Sequence, residues 1–191
     1  NGMISSLAPH GFTPDATSAA LEHDIRTWLF HSGGNAGEGA NTLTYLRVVV
    51  QPEAIAGDGF EVVSATTGPA PLALTQPDYP VRDQLAGREG MVVLKLEVGA
   101  DGSVDDAVVQ ATTSGVSRPM ASAAVEAAQH WRFAPERVAG QAVPSTMLWP
   151  VCYVGRETSL SECSWDGPDR QRFSSKTVLP LNSAATLVSQ R

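Results

Sequence analysis

The sequence predicts an α+β fold: a two-layer sandwich in which an antiparallel β-hairpin and an edge strand pack on one helix, preceded by a smaller α/β module. Three observations carry this. Val92, Leu94, Leu96 and Val98 alternate with Val93, Lys95 and Glu97, the two-residue period of a strand. Asp101-Gly102 follows, a pair that supplies the positive φ of a tight turn and leads into a second strand, Val104 to Ala111. Met120, Ala123, Ala124, Ala127 and Trp131 then fall on one helical stripe, and the alanines allow close approach to the apolar face of the hairpin.

The elements ahead of this unit read in order. Thr13-Pro14-Asp15 has the composition of a helix start, a capping threonine with proline at the first helical position. Ala20, Leu21, Ile25, Trp28 and Leu29 keep helical spacing and extend the helix from Ala16 to Phe30. The glycine-rich stretch from Gly33 to Gly39 reads as a flexible connection. Leu43 to Val50 reads as a strand ended by Pro52, and Phe60 to Thr66 as another. Gly68-Pro69-Ala70-Pro71 marks a boundary, so the chain divides into a module at 1–72, a main domain at 76–155 and a tail at 156–191.

In the main domain, Arg118-Pro119 sets up the helix, which closes on Trp131-Arg132-Phe133-Ala134-Pro135, and Ser117–Phe133 is expected to be mostly helical. A last apolar strand runs from Ser145 to Tyr153. Pro144 and Pro150 place it at a sheet edge, because proline donates nothing to a ladder. After Gly155 the pattern dissolves into turn residues and scattered charge with one short apolar run, Thr177 to Leu181, broken at Pro180; one reading is an isolated strand or coil docked on the domain, and low order is the default for such a terminus.

Composition narrows the function classes. The 191 residues carry 13 basic and 20 acidic side chains, a formal charge of −7, which argues against a nucleic-acid binder and against an anionic membrane surface as main partner. No run approaches the roughly 20 apolar residues of a membrane span, and no signal peptide opens the chain, which reads as the soluble portion of something longer. Catalysis has little support. His10, His23, His31 and His130 form no metal-ligand spacing, and no serine stands in a nucleophile elbow. Asp105 and Asp106 are adjacent strand residues facing opposite ways. The expectation is a non-enzyme with no catalytic residues, no metal and no cofactor.

Gln76-Pro77-Asp78-Tyr79-Pro80 precedes all this, with Glu89-Gly90 opening the first strand and Trp131-Arg132-Phe133-x-Pro135 ending the helix. In that order, from Gln76 to Tyr153, the sequence resembles the C-terminal domain of the TonB family. The resemblance implies a periplasmic interaction domain that binds an outer-membrane transporter by strand addition. It would couple inner-membrane energy to transport if the intact protein is anchored in the inner membrane beside a proton-driven motor. The alternative is a non-transducing adaptor, sensor or secretion component that binds another envelope protein with the same fold; a homodimer also stays open. The implied partner-binding residues are Gln76, Pro77, Tyr79, Pro80, Met147, Leu148, Trp149, Val151 and Tyr153. For the final strand the competing reading is that its prolines only blunt the edge, with Trp149 in the core. For Gln76–Pro80 it is that the prolines stiffen an extended lead-in and Tyr79 packs on the domain. The periplasmic setting favours a disulfide between Cys152 and Cys163, worth roughly 2–3 kcal/mol for a loop of about ten residues. The other reading is a buried Cys152 and a free thiol.

Two echoes link the halves of the chain. Ser18–Glu22 running to Trp28 resembles Ser122–Glu126 running to Trp131, and Gly57–Thr67 resembles Asp101–Thr113. They leave open a degenerate second copy of the same fold, or an unrelated α–β–β extension.

Overall fold

The computed structural model describes residues 2–8, 16–33, 40–52, 60–155, 163–166, 172–174 and 178–189. The front of the chain forms β1 (Gly2–Met3), α1 (Ala16–Ile25), β2 (Leu29–Ser32), β3 (Thr42–Leu43), β4 (Tyr45–Pro52), β5 (Phe60–Gly68) and β6 (Ala70–Ala73). The central unit comprises α2 (Val81–Leu85), β7 (Gly90–Val98), β8 (Val104–Thr112), α3 (Arg118–Gln129), β9 (Arg132–Ala134), β10 (Arg137–Val138), β11 (Gln141–Ala142) and β12 (Ser145–Tyr153). The C-terminal residues add β13 (Ser164–Asp166), β14 (Arg172–Ser174), β15 (Leu179–Pro180) and β16 (Ala185–Ser189). Helix and strand are thus mixed, with an α+β arrangement at the centre.

The central sheet is antiparallel, in the order β15-β12-β7-β8. Its alternation is the one read from sequence. Val92, Leu94, Leu96 and Val98 face α3 and are buried with Met120 and Ala124, each large apolar side chain contributing about 1.5–3 kcal/mol. On the reverse face Met91 and Val93 are buried too, covered by Leu148, Cys152, Cys163 and Leu179, while Lys95 and Glu97 pair at 3.0 Å in solvent. The second face is therefore partly closed by the C-terminal segment.

The hairpin turn bonds Gly99 N–H to the Ser103 carbonyl at 2.9 Å. Gly102 holds φ at +82°, and a Cβ there would sit on the Phe133 carbonyl, 3.1 Å from its carbon and closer to its oxygen. The Phe133 N–H donates back to the Gly102 carbonyl at 2.8 Å. So the turn and the chain after α3 lock together, and Gly102 is required twice, by its φ and by this approach.

Ser117 caps α3, its Oγ accepting from Met120 N–H at 3.3 Å, with Pro119 in the first turn. Most of Ser117–Phe133 is helical, as expected, but the helix ends at Gln129, short of the Trp131–Pro135 close. Arg132–Ala134 is instead strand β9, paired with β6, because Ala70, Pro71 and Ala73 arrive from more than fifty residues upstream to offer a ladder. Trp131, 2% exposed, sits at the helix end and donates from Nε1 to the Thr75 carbonyl at 2.7 Å.

Three other expectations need correction. The front helix stops at Ile25; Leu29 and Phe30 are in β2, which pairs with β1 on one side and β16 on the other. The apolar pair fitted the helical spacing, but strand partners from both ends of the chain capture it. The front strands run slightly long, β4 to Pro52 and β5 to Gly68. The third concerns the tail, where the default of low order gives way to the docked alternative. Residues 178–189 are docked: β15 on β12, β16 on β2, and the Gly33 N–H on the Ala184 carbonyl at 2.7 Å. The expected helix start at Thr13–Asp15, the turn Gly57–Gly59 and the connection from 34 to 39 lie outside the described residues.

Pairings cross the boundaries expected at 72 and 156: β6 with β9, β3 with β10, and β16 with β2. The two helix-plus-hairpin sets also have different neighbours. Helix α3 lies across β7 and β8, whereas the β4–β5 hairpin is met by β15 and β16. Trp28 is buried.

Candidate protein-interaction site

Successive side chains of β12 turn to opposite faces of the sheet. Ser145, Met147, Trp149, Val151 and Tyr153 turn toward α3 and are buried. Of the residues the resemblance implies for partner binding, Met147, Trp149, Val151 and Tyr153 thus have their side chains in the core. Trp149, 8% exposed, packs 5.5 Å from the Trp131 ring and 5.6 Å from Phe133, with the Arg47 guanidinium 5.1 Å above its own ring. Burial pushes the pKa of Arg47 below its ordinary value. Leu148 is half-buried on the opposite face, beside Cys152. What β12 has left to offer is backbone.

Its backbone is asymmetric. In an antiparallel ladder the N–H groups of successive residues point to alternate sides. The Thr146 N–H is bonded by the Asn182 side-chain carbonyl, away from β7. Thr146, Leu148 and Cys152 therefore direct their donors outward, and Pro150, which has none, falls on the same side. The proline costs the β7 pairing no bond, as its unbroken register shows. Outward partners come from the C-terminal segment: Leu179 opposite Leu148, Pro180 opposite Met147, and the Leu181 N–H on the Thr146 carbonyl at 2.8 Å. Among the described residues no strand pairs with β12 beyond Leu148 on that side. Cys152 is disulfide-bonded to Cys163 with Cα atoms 6.3 Å apart, the pairing expected from the sequence.

The Gln76–Pro80 segment lies against the far end of β12. Tyr79 is half-buried, donates its hydroxyl to the Arg88 carbonyl, and meets Tyr153 edge-on at 5.3 Å. Tyr153 in turn donates to the Met120 carbonyl at 2.8 Å, and burial, then Asp78 and Tyr79, pushes its pKa up to about 12. Burial first, then Glu89 and Asp83, raises Tyr79 as well. Gln76 is exposed, and Pro77 and Pro80 are half-buried. Behind this segment α2, absent from the sequence reading, turns Val81 and Leu85 to solvent. Its Asp83 accepts from Ser117 Oγ at 2.7 Å and pairs with Arg88 at 3.3 Å, tying the lead-in to the start of α3.

Glu136 was also missed. Its carboxylate is 0% exposed, and it accepts from Thr44 Oγ1 at 2.6 Å, Ser145 Oγ at 2.9 Å, Ser183 Oγ at 2.8 Å and the Ala184 N–H at 3.1 Å. These short bonds to an anion are the strong kind, and they join the front module, β12 and the C-terminal segment at one point. The signal available was an acid placed directly after Trp131–Pro135. Its partners, spread from residue 44 to 184, carried none.

Among the described residues, no helix is long and apolar enough to cross a membrane, and no group of three or more His, Cys, Asp or Glu side chains gathers to hold a metal.

Comparison with known proteins locates this unit. Residues 75–154 match the family described as Gram-negative bacterial TonB protein C-terminal. The chain is similar to Protein TonB of Escherichia coli (strain K12), 34% identical over 82 residues, which cover 43% of this chain and 34% of that protein. The matched stretch thus spans about a third of the relative's length. With Gln76–Pro80, Glu89-Gly90 and Trp131–Pro135 all inside the match, residues 75–154 carry a domain of the TonB C-terminal family.

Proposed function

We propose that this domain works in the periplasm, where it receives an extended segment of an outer-membrane receptor as an added strand along the outer edge of β12. The observation that carries this is the outward-facing edge itself, at which Pro150 interrupts no bond to β7. Outward N–H and carbonyl groups from Thr146 to Tyr153 supply affinity, each ladder bond contributing about 0.5–1.5 kcal/mol. Tyr79, packed edge-on against Tyr153, forms the second contact together with its sequence neighbours Gln76, Pro77 and Pro80. Held to an inner-membrane anchor and its proton-driven motor, the grip transmits force to the receptor.

The test is titration of isotope-labelled protein with synthetic peptides copying the periplasm-facing N-terminal segments of the bacterium's own outer-membrane receptors. Amide shifts concentrated on Thr146–Tyr153 are expected, with affinity at least tenfold weaker in Leu148→Pro, which loses an outward donor. Equal binding by both proteins, each shown to be folded, would refute strand addition at this edge.

A further inference from the structure

The edge proposed for docking is half filled by the chain itself. The C-terminal segment satisfies the outward groups of Thr146 and Leu148 through Leu179, Leu181 and Asn182. Around Pro150 and Cys152, where no strand pairs on that side among the described residues, β12 directs one N–H outward, since Pro150 has none. A partner strand of five residues or more cannot form its ladder while the segment is in place.

The occupant is built to close the edge rather than to extend the sheet. Pro180 stands opposite Met147, between the bonded positions 148/179 and 146/181. At such a position an N–H would point away from β12, so proline sacrifices nothing toward β12 and leaves the new outer edge without a donor. The paired stretch is only two residues long and gives few bonds to hold it. The residues just beyond it anchor it instead. Ser183 and Ala184 fasten on the buried Glu136 carboxylate, and Thr67 donates to the Ala185 carbonyl. Toward the other end of β12 the Cys152–Cys163 disulfide ties a second point of the C-terminal region to the same strand.

The other free edge of the sheet, β8, makes a poorer docking site. Its pairing with β7 is broken by register shifts near both ends, and it carries Asp105 and Asp106 in solvent, the usual protection of an edge.

We infer that residues 179–184 are an autoinhibitory latch: they occupy the docking edge of β12, Glu136 is the catch, and an incoming strand must displace them. This rests on the docking reading above, and it gives that reading a regulation. The latch differs from an ordinary docked terminus in that its release exposes outward amides on β12, while Leu94 and Leu96 on the α3-facing side of β7 stay packed.

The experiment uses the full chain as wild type, Asn182→Ala and Glu136→Gln. Asn182 is exposed and outside the core, so its variant keeps the test alive if Glu136→Gln fails to fold. Amide hydrogen exchange is read residue by residue, and a labelled synthetic peptide copying residues 177–184 is titrated into each protein. Exchange at Thr146 and Leu148 should accelerate at least tenfold in the variants, with Leu94 and Leu96 unchanged, and the peptide should bind them at least tenfold tighter than wild type. Unchanged exchange at Thr146 and Leu148, or equal peptide affinity across folded proteins, would overturn the latch. Receptor-segment peptides separate the two ideas. If they bind wild type and released variants equally, the latch is refuted and docking stands. If they ignore variants whose edge takes the copied peptide, docking is wrong, while the segment is still shown to cover that edge.

Discussion

Gly102→Ala tests how the hairpin turn and the chain after α3 depend on each other. Two costs stack at this position. The first is conformational: φ is +82°, and an L-residue in that region costs about 1–2 kcal/mol. The second is steric. The added Cβ would fall on the Phe133 carbonyl, so β9 must retreat from the turn. Retreat loses the Phe133 N–H bond to Gly102, about 1 kcal/mol, and loosens Phe133, now 1% exposed. Part of that ring's roughly 1.5–3 kcal/mol of burial goes with it. The sum is about 3–5 kcal/mol. Gly140→Ala is the control, because φ is +80° there and nothing lies within 4 Å of an added Cβ. It should cost only the conformational term, about 1–2 kcal/mol. Urea unfolding followed by tryptophan fluorescence measures both, since Trp149 packs on both Phe133 and Trp131. Equal losses in the two variants would show that the close approach has no energetic weight.

Three further outcomes are expected. Ala139 holds φ at +50° in the turn between β10 and β11, so Ala139→Asn, which tolerates that region, should raise stability by about 0.5–1 kcal/mol in the same assay; a loss would refute it. Tyr153 has its pKa raised from the ordinary value near 10 to about 12, so the folded state holds its proton where the unfolded state has released it. Stability present below pH 10 should fall by up to about 3 kcal/mol as pH rises toward 12, and Tyr153→Phe should flatten that decline; parallel pH curves would refute the assignment. Removing the disulfide by Cys152→Ser with Cys163→Ser should cost about 2–3 kcal/mol from the short loop it closes, read by thermal unfolding; an unchanged midpoint would show that packing alone holds the segment.

The central hairpin, the apolar faces of β7, the turn at Asp101-Gly102 and the stripe of α3 could be read from the sequence by itself. These depend on interactions within a few residues: a two-residue alternation, a positive φ, and a 3.6-residue period that lands Met120, Ala124 and Trp131 on one side. The TonB C-terminal domain was legible for the same reason, because its motifs are local and ordered along the chain. Tertiary structure decided the rest. Leu29 and Phe30 fit a helix until strands from both ends of the chain pair with them. Trp149 reads equally well as a surface anchor or as core until Trp131, Phe133 and Arg47 close around it. The C-terminal residues look unstructured one by one, and become ordered because β2, β12 and Glu136 each supply hydrogen bonds that no neighbour in sequence can offer. Glu136 shows the limit most plainly: a buried carboxylate is tolerable only when donors surround it, and here they come from residues 44, 145, 183 and 184.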